Sequence, residues 1–186
     1  MEDRLLDKIA EPFNLQLPEY SSMEEMIDQI LPTVGKFSLR DLTDSSQPMF
    51  TTDWVKMSDQ PGYTVVSLHN FKSTGEIQIA NDGAMDGATF KVLTPKRVII
   101  GQSLHRDAFL YELAFMDNDF LIFKRHGNEA NIKQKYLFYC REAIGTRLTW
   151  NEALERLVDK YRNNEFPWWI VIVLVLVAVG VVVYLR

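Results

Sequence analysis

The chain has little with which to cross-link itself or grip a metal. Its 186 residues include one cysteine, Cys140, too few for an internal disulfide or a thiolate cluster. A buried thiol in a reducing compartment is the natural reading. The three histidines, His69, His105 and His126, are scattered over separate stretches, so no metal site is expected. A basic excess is missing too: 25 acidic residues against 20 basic leave a net charge of −5. General nucleic-acid binding needs a clustered basic face and is not expected. There are no Gly/Ser linkers, long repeats or low-complexity tracts, and the opening MEDRLLDKIAEPF lacks the apolar core of a signal peptide.

Catalytic signatures are equally scarce. His105, Arg106 and Asp107 spell the tripeptide of a kinase catalytic loop, but no glycine-rich loop or Asp-Phe-Gly accompanies it. NDGAMDG, residues 81–87, offers Asp82 and Asp86 as oxygen ligands but lacks the spacing and closing Glu of a calcium loop, so a hairpin turn is expected. No catalytic residue, metal or cofactor is assigned, and an enzyme is the third-ranked reading.

What the chain does have is FPWWIVIVLVLVAVGVVVYLR, residues 166–186. Trp168–Leu185 carries no charge, and thirteen of its eighteen residues are Val, Ile or Leu. At helical rise this spans roughly 27 Å, the hydrocarbon thickness of a bilayer. Pro167 suits a first helical position. Trp168, Trp169 and Tyr184 sit where interfacial aromatic belts are found. Basic residues precede the span (Arg147, Arg156, Lys160, Arg162) and only Arg186 follows it. The expectation is a single-pass, tail-anchored membrane protein with its N-terminal domain in the cytoplasm.

Three regions are expected: a helical segment 1–35, a β-rich domain 36–165 and the anchor 166–186. The first region should hold a helix over about Glu2–Ala10 and a second from Ser22. There SMEE offers a capping box, and Met23, Met26, Ile27, Ile30 and Leu31 form one apolar face ended by Pro32. That face is read as covering the domain. Nine β-rich runs follow: KFSLRDL, TTDWVKM, YTVVSLHNF, EIQIA, ATFKVL, RVIIG, AFLYELAFM, FLIFKR and KYLFYCRE. The turns between them are short, which implies antiparallel neighbours in a meander, a small barrel or sandwich. In FLYELAF, alternation places Phe109, Tyr111, Leu113 and Phe115 on one face. Last, Thr149 and Glu152 suggest a second capping box, and Trp150, Ala153, Leu154, Leu157, Val158 and Tyr161 a helical stripe that packs on the barrel.

The run from Ser67 to Gly101, with FLYELAFMDNDFLIFKR after it, resembles small bacterial lipocalin-like domains over about residues 50–162. Shared features are a strand ending in Phe, a Gly hairpin, an Ala–aromatic strand and a late Leu-rich hairpin. Trp54 stands near the first strand, although Thr52 replaces the family's Gly. A pleckstrin-homology-like sandwich, which also ends in a helix bearing a Trp (here Trp150), is the second resemblance. The lipocalin resemblance implies a mainly β fold, an antiparallel β-barrel closed by a helix, and carries over no pocket residue. Read from the strands themselves, Phe71, Phe90, Phe109, Tyr111, Phe115, Phe123 and Phe138 line a cavity or fill a core, the filled core being favoured. The first five are the candidate ligand-lining residues. Lys124, Arg125, Lys133 and Lys135 flank a hairpin loop that could touch anionic headgroups. Two leading roles emerge. One is a membrane-anchored scaffold that meets a partner protein at the cytoplasmic face. The other is a lipocalin-like carrier or sensor of a small apolar ligand or lipid.

Overall fold

Alternation builds the sheet. In SLHNF, for example, Ser67, His69 and Phe71 are buried while Leu68 and Asn70 are half-buried on the other side. The computed structural model describes residues 20–62, 65–103, 106–127 and 134–162, with Arg106 by its backbone alone. Eight strands follow one another: β1 (Trp54–Lys56), β2 (Ser67–Phe71), β3 (Glu76–Asn81), β4 (Ala84–Thr94), β5 (Arg97–Ser103), β6 (Arg106–Met116), β7 (Phe120–Arg125) and β8 (Tyr136–Arg141). Each pairs antiparallel with the next, and β8 returns to β1, with Val55 opposite Cys140. The result is a closed barrel, not an open sandwich, and no strand edge is left unpaired. The meander inferred from short connections is the observed topology.

One of the nine β-rich runs is not a strand. KFSLRDL passes from a short 3-10 turn, Gly35–Phe37, into an extended connection across one end of the barrel. The Leu39 and Leu42 N–H groups donate to the Met116 and Pro95 carbonyls at 2.8 and 2.9 Å, and Leu42 is fully buried. NDGAMDG is tighter than expected: only Asp82 and Gly83 turn, both at positive φ, and Asp86 lies within β4. An Asp-Gly pair tolerates that conformation best, which is why β3 and β4 form a tight hairpin.

Two helices cover the outer face of one side. Helix α1 (Met23–Val34) buries Met23, Met26, Ile27, Ile30 and Val34; α4 (Trp150–Arg162) buries Ala153, Leu154, Leu157 and Val158. They pack on each other and over Phe115, Ile122, Phe138 and Cys140. Each fully buried apolar side chain contributes about 1.5–3 kcal/mol. Pro32 does not end α1, because in the last turn its missing N–H forfeits only one bond and the Gly35 N–H still reaches the Leu31 carbonyl. At the start, Ser22 Oγ accepts the Glu25 N–H at 3.2 Å, while the Glu25 carboxylate accepts from Ser21 rather than closing the box on Ser22. In α4 the Glu152 carboxylate does accept the Thr149 N–H, at 2.8 Å.

Polar pins fix both helices. Asp28 on α1 takes the Lys135 ammonium at 2.7 Å and the Tyr136 hydroxyl at 2.6 Å. Burial works against the Asp28 anion, but those partners outweigh it and hold the carboxyl below its usual range. Asp117, buried in the β6–β7 turn, accepts from Lys160 Nζ at 2.8 Å and Tyr161 Oη at 2.5 Å, and from the Asp119 and Phe120 N–H groups. Two short helices complete the shell: α2 (Pro48–Thr51) and α3 (Glu142–Gly145). A Cβ on Gly145 would stand 2.6 Å from Val55 Cβ, so α3 can lie against β1 only with glycine there.

Among the described residues no helix is long and apolar enough to cross a membrane. The expected span 166–186, with Trp168, Trp169 and Tyr184, lies outside them, as do the first expected helix, Lys133 and His105.

Candidate functional site

The barrel interior changes from apolar to polar along its axis, and the two parts meet where Trp54 pairs with His69 and Leu121 with Tyr139. At the end that receives the β2–β3, β4–β5 and β6–β7 turns, the inward side chains are apolar: Trp54, Phe71, Phe90, Leu113, Leu121 and Phe123. Helix α2 and the 38–47 connection plug this end with Met49 and Leu42, both fully buried, and the Trp54 indole N–H donates to the Met49 carbonyl at 3.2 Å. The Phe71 and Phe90 rings meet edge to face at 5.5 Å, a favoured aromatic geometry.

Moving along the same strands changes the chemistry. On β1 the inward residue after Trp54 is Lys56; on β2, before Phe71, come His69 and then Ser67; on β8 it is Tyr139, directly opposite Lys56. Tyr111 on β6 and Arg125 on β7 face one another across the ladder. The Arg125 guanidinium lies 3.5 Å from the centre of the Phe109 ring, which is 41% exposed although its register is inward. Phe109 and Arg125 thus stand at the rim of this second end.

His69 is the centre of the group. It is 7% exposed, its ring meets Tyr139 edge-on at 5.3 Å, and its Nε2 lies 2.9 Å from Ser67 Oγ. Its Nδ1 is buried with no hydrogen-bond partner. A buried polar atom without a partner costs about 1–3 kcal/mol, and such atoms are rare in native proteins. Burial, reinforced by the nearby Lys56 charge, pushes the imidazole down to about 4. Burial likewise lowers Lys56, and among the described residues no carboxylate pairs with its ammonium or with Arg125. The Tyr139 and Tyr111 hydroxyls are both pushed upward, chiefly by burial.

A Ser–His contact of this length is also the start of a nucleophile–base dyad. Here the base lacks its third member, since Nδ1 meets no carboxylate, and a ring titrating at about 4 takes up protons poorly near neutrality.

The expected aromatic lining is only partly assembled. Phe71, Phe90 and Tyr111 face the interior and Phe109 its rim, but Phe115 lies on the outer face beneath the helices. The cause is a bulge between Leu113 and Phe115, which reverses the alternation so that Met116, not Phe115, points inward. Phe71 and Phe90 belong to the filled, plugged end, where the core-filling alternative describes them. The basic loop residues are dispersed as well. Arg125 turns onto Phe109, Lys135 pairs with Asp28, and Lys124 lies on the outward register opposite Glu112. Cys140 is fully buried on the outer face, and burial, with Asp117 and Asp119 nearby, raises its thiol well above the ordinary value.

No protein-family model matches the chain. No curated protein matches it either. The site therefore stands on its own geometry. Sequence reading gave Lys56, Ser67 and Tyr139 no role and took His69 only as one of three scattered histidines, yet one signal was present. SLHNF reads Ser, His, Phe on one face, and WVK reads Trp, Lys: two neighbouring strands whose inward side becomes polar toward the same end.

Proposed function

We propose that this protein is a non-enzymatic, membrane-anchored barrel that binds a small ligand at the polar end of its interior, as a carrier or sensor on the cytoplasmic side. The observation that carries the reading is the buried His69 Nδ1 without a hydrogen-bond partner, beside a Lys56 ammonium that no carboxylate among the described residues pairs. Groups left unsatisfied at that cost are what a bound molecule would satisfy. The apolar tail 166–186 supports the membrane attachment, and the brief connection after α4 would keep the barrel close to the bilayer.

The competing reading is a scaffold that meets a partner protein. Its natural docking face was the apolar stripe of α1, and that stripe is occupied by the barrel and α4. This favours the ligand reading. The small guest need not be purely apolar, because the apolar half of the interior is already filled by the protein's own side chains.

The test is native mass spectrometry of the full chain taken from its own membrane in mild detergent. A stoichiometric small adduct that survives desalting, and that Ala88→Trp at the half-buried inward face of β4 removes, is the expected result. A bare chain, or one carrying only a stoichiometric protein, would sink the reading.

A further inference from the structure

At the polar end stand two cations, Lys56 and Arg125, that no carboxylate among the described residues pairs, and one buried ring nitrogen, His69 Nδ1, whose role follows from its tautomer. From this we infer that the barrel's guest is a small organic anion, held through its acidic oxygens by Lys56, Arg125 and the His69 Nδ1–H. The inference rests on the ligand-binding reading above and names the class of ligand.

If the Ser67 hydroxyl donates to Nε2 across 2.9 Å, the imidazole proton resides on Nδ1, and that buried atom becomes a donor with nothing to donate to. Ser67 and His69 are neighbours on one face of β2, so the strand itself fixes the orientation. Lys56 sits on the adjacent strand, facing Tyr139, and its charge acts on the His69 ring. Arg125 stands at the rim on β7, opposite Tyr111, its guanidinium 3.5 Å from the centre of the Phe109 ring and paired with no carboxylate among the described residues. Guanidinium and ammonium groups held in a partly dry enclosure attract anionic oxygens far more strongly than in open water.

A cation is excluded on the same grounds, since it would have to sit beside Lys56 and Arg125. Asp86, on the inward register of β4, is exposed and accepts the Gly87 N–H at 2.7 Å. A neutral apolar guest would leave Nδ1 and both charges unsatisfied and would add to the desolvation that already depresses Lys56. Size is bounded as well. The plugged end is filled by Trp54, Phe71 and Phe90, so a long acyl chain finds no channel beyond His69.

The experiment uses the full chain in detergent, with histidine side chains isotope-labelled, titrated with benzoate and separately with benzamide. The two probes have nearly one shape and differ in charge. Benzoate is expected to shift the His69 resonances saturably, to raise the pH at which His69 titrates, and to bind about tenfold or more tightly than benzamide. Lys56→Met and Arg125→Gln, each first shown to be folded by circular dichroism, are each expected to weaken benzoate by about tenfold and leave benzamide unchanged. Benzamide binding as tightly as benzoate, or benzoate binding that ignores both substitutions, would overturn the anion. No response of His69 to benzoate or to inorganic phosphate overturns it too. In that last case a neutral adduct in the native mass spectrum leaves the ligand-binding barrel standing, whereas no adduct removes both.

Discussion

At the plugged end of the barrel, Trp54, Phe71 and Phe90 fill the interior with apolar surface, and the buried indole N–H of Trp54 has found the Met49 carbonyl. Just along the same strands, His69 is buried with Nδ1 unpartnered, and Lys56 meets no counter-charge among the described residues. One barrel interior therefore holds an apolar part whose buried indole N–H is matched and a polar part where a ring nitrogen and an ammonium are not. On the outward face of the same β2 strand, Asn70 Oδ1 is buried without a partner as well. Folding alone favours the first kind of packing, because unmatched buried groups subtract from a net stability of only about 5–15 kcal/mol. On the proposed reading, a bound guest would complete the second kind.

The largest effect should separate the two ends directly. Phe71→Ala removes a fully buried ring that touches Phe90 at 5.5 Å and Tyr139 at 5.7 Å. It is expected to cost about 3–5 kcal/mol in urea unfolding. His69→Phe, one inward position away, relieves an unpartnered buried nitrogen but strands the buried Ser67 hydroxyl; the two offset one another, and stability should change by less than about 1 kcal/mol. Equal losses at the two positions would mean that the polar end is as tightly matched as the plugged one.

Next comes the pH dependence of the ligand-free protein. His69 titrates at about 4 in the folded chain, against 6.5 when unfolded. Between those values the unfolded state binds the extra proton, so the stabilisation is complete above the unfolded value and is lost as pH falls through the window. The loss should reach roughly 3 kcal/mol by about pH 4. The same unfolding series on His69→Phe should be flatter over that interval. An unchanged slope would place the acid sensitivity elsewhere and His69 in a wetter site.

Much of this architecture is legible from residue order alone. FLIFKR is a strand to the residue, the meander follows from turns too short for crossovers, and both amphipathic stripes pack as their spacing requires. Other features depend on partners distant in sequence. KFSLRDL has strand-like composition, but Leu42 is drawn into the barrel's end by a carbonyl at Pro95. Phe115 alternates correctly with Leu113 until a bulge visible only in the β6–β7 ladder turns it outward. The polar end was the hardest to see. Lys56, His69 and Arg125 come from three separate strands, and each looks ordinary within its own segment.

Asp117 sharpens the contrast from outside the barrel, as a buried carboxylate whose partners are all present. Burial would lower Lys160, yet the bonds from Asp117 and Asp119 prevail and raise it, and Tyr161 is pushed upward as well. Asp117→Asn keeps the shape but loses the charge and sets an amide N–H against donors. A loss of about 2 kcal/mol is expected. It should appear first as faster hydrogen exchange in α4, since Lys160 and Tyr161 are the contacts released. Exchange that accelerates uniformly across the barrel would show that this pin supports the whole sheet.

The smallest effect has the opposite sign. Lys56→Met replaces a half-buried ammonium with an apolar chain of similar length, on a strand position where burial already disfavours the charge. Urea unfolding without ligand should show a gain of about 1 kcal/mol from relieving a desolvated charge. The same substitution is expected to weaken benzoate, so stability and binding should move apart. If Lys56→Met destabilises the free protein instead, the ammonium has a partner within the fold. The polar end would then be matched after all, and the distinction between the two ends of the interior would collapse.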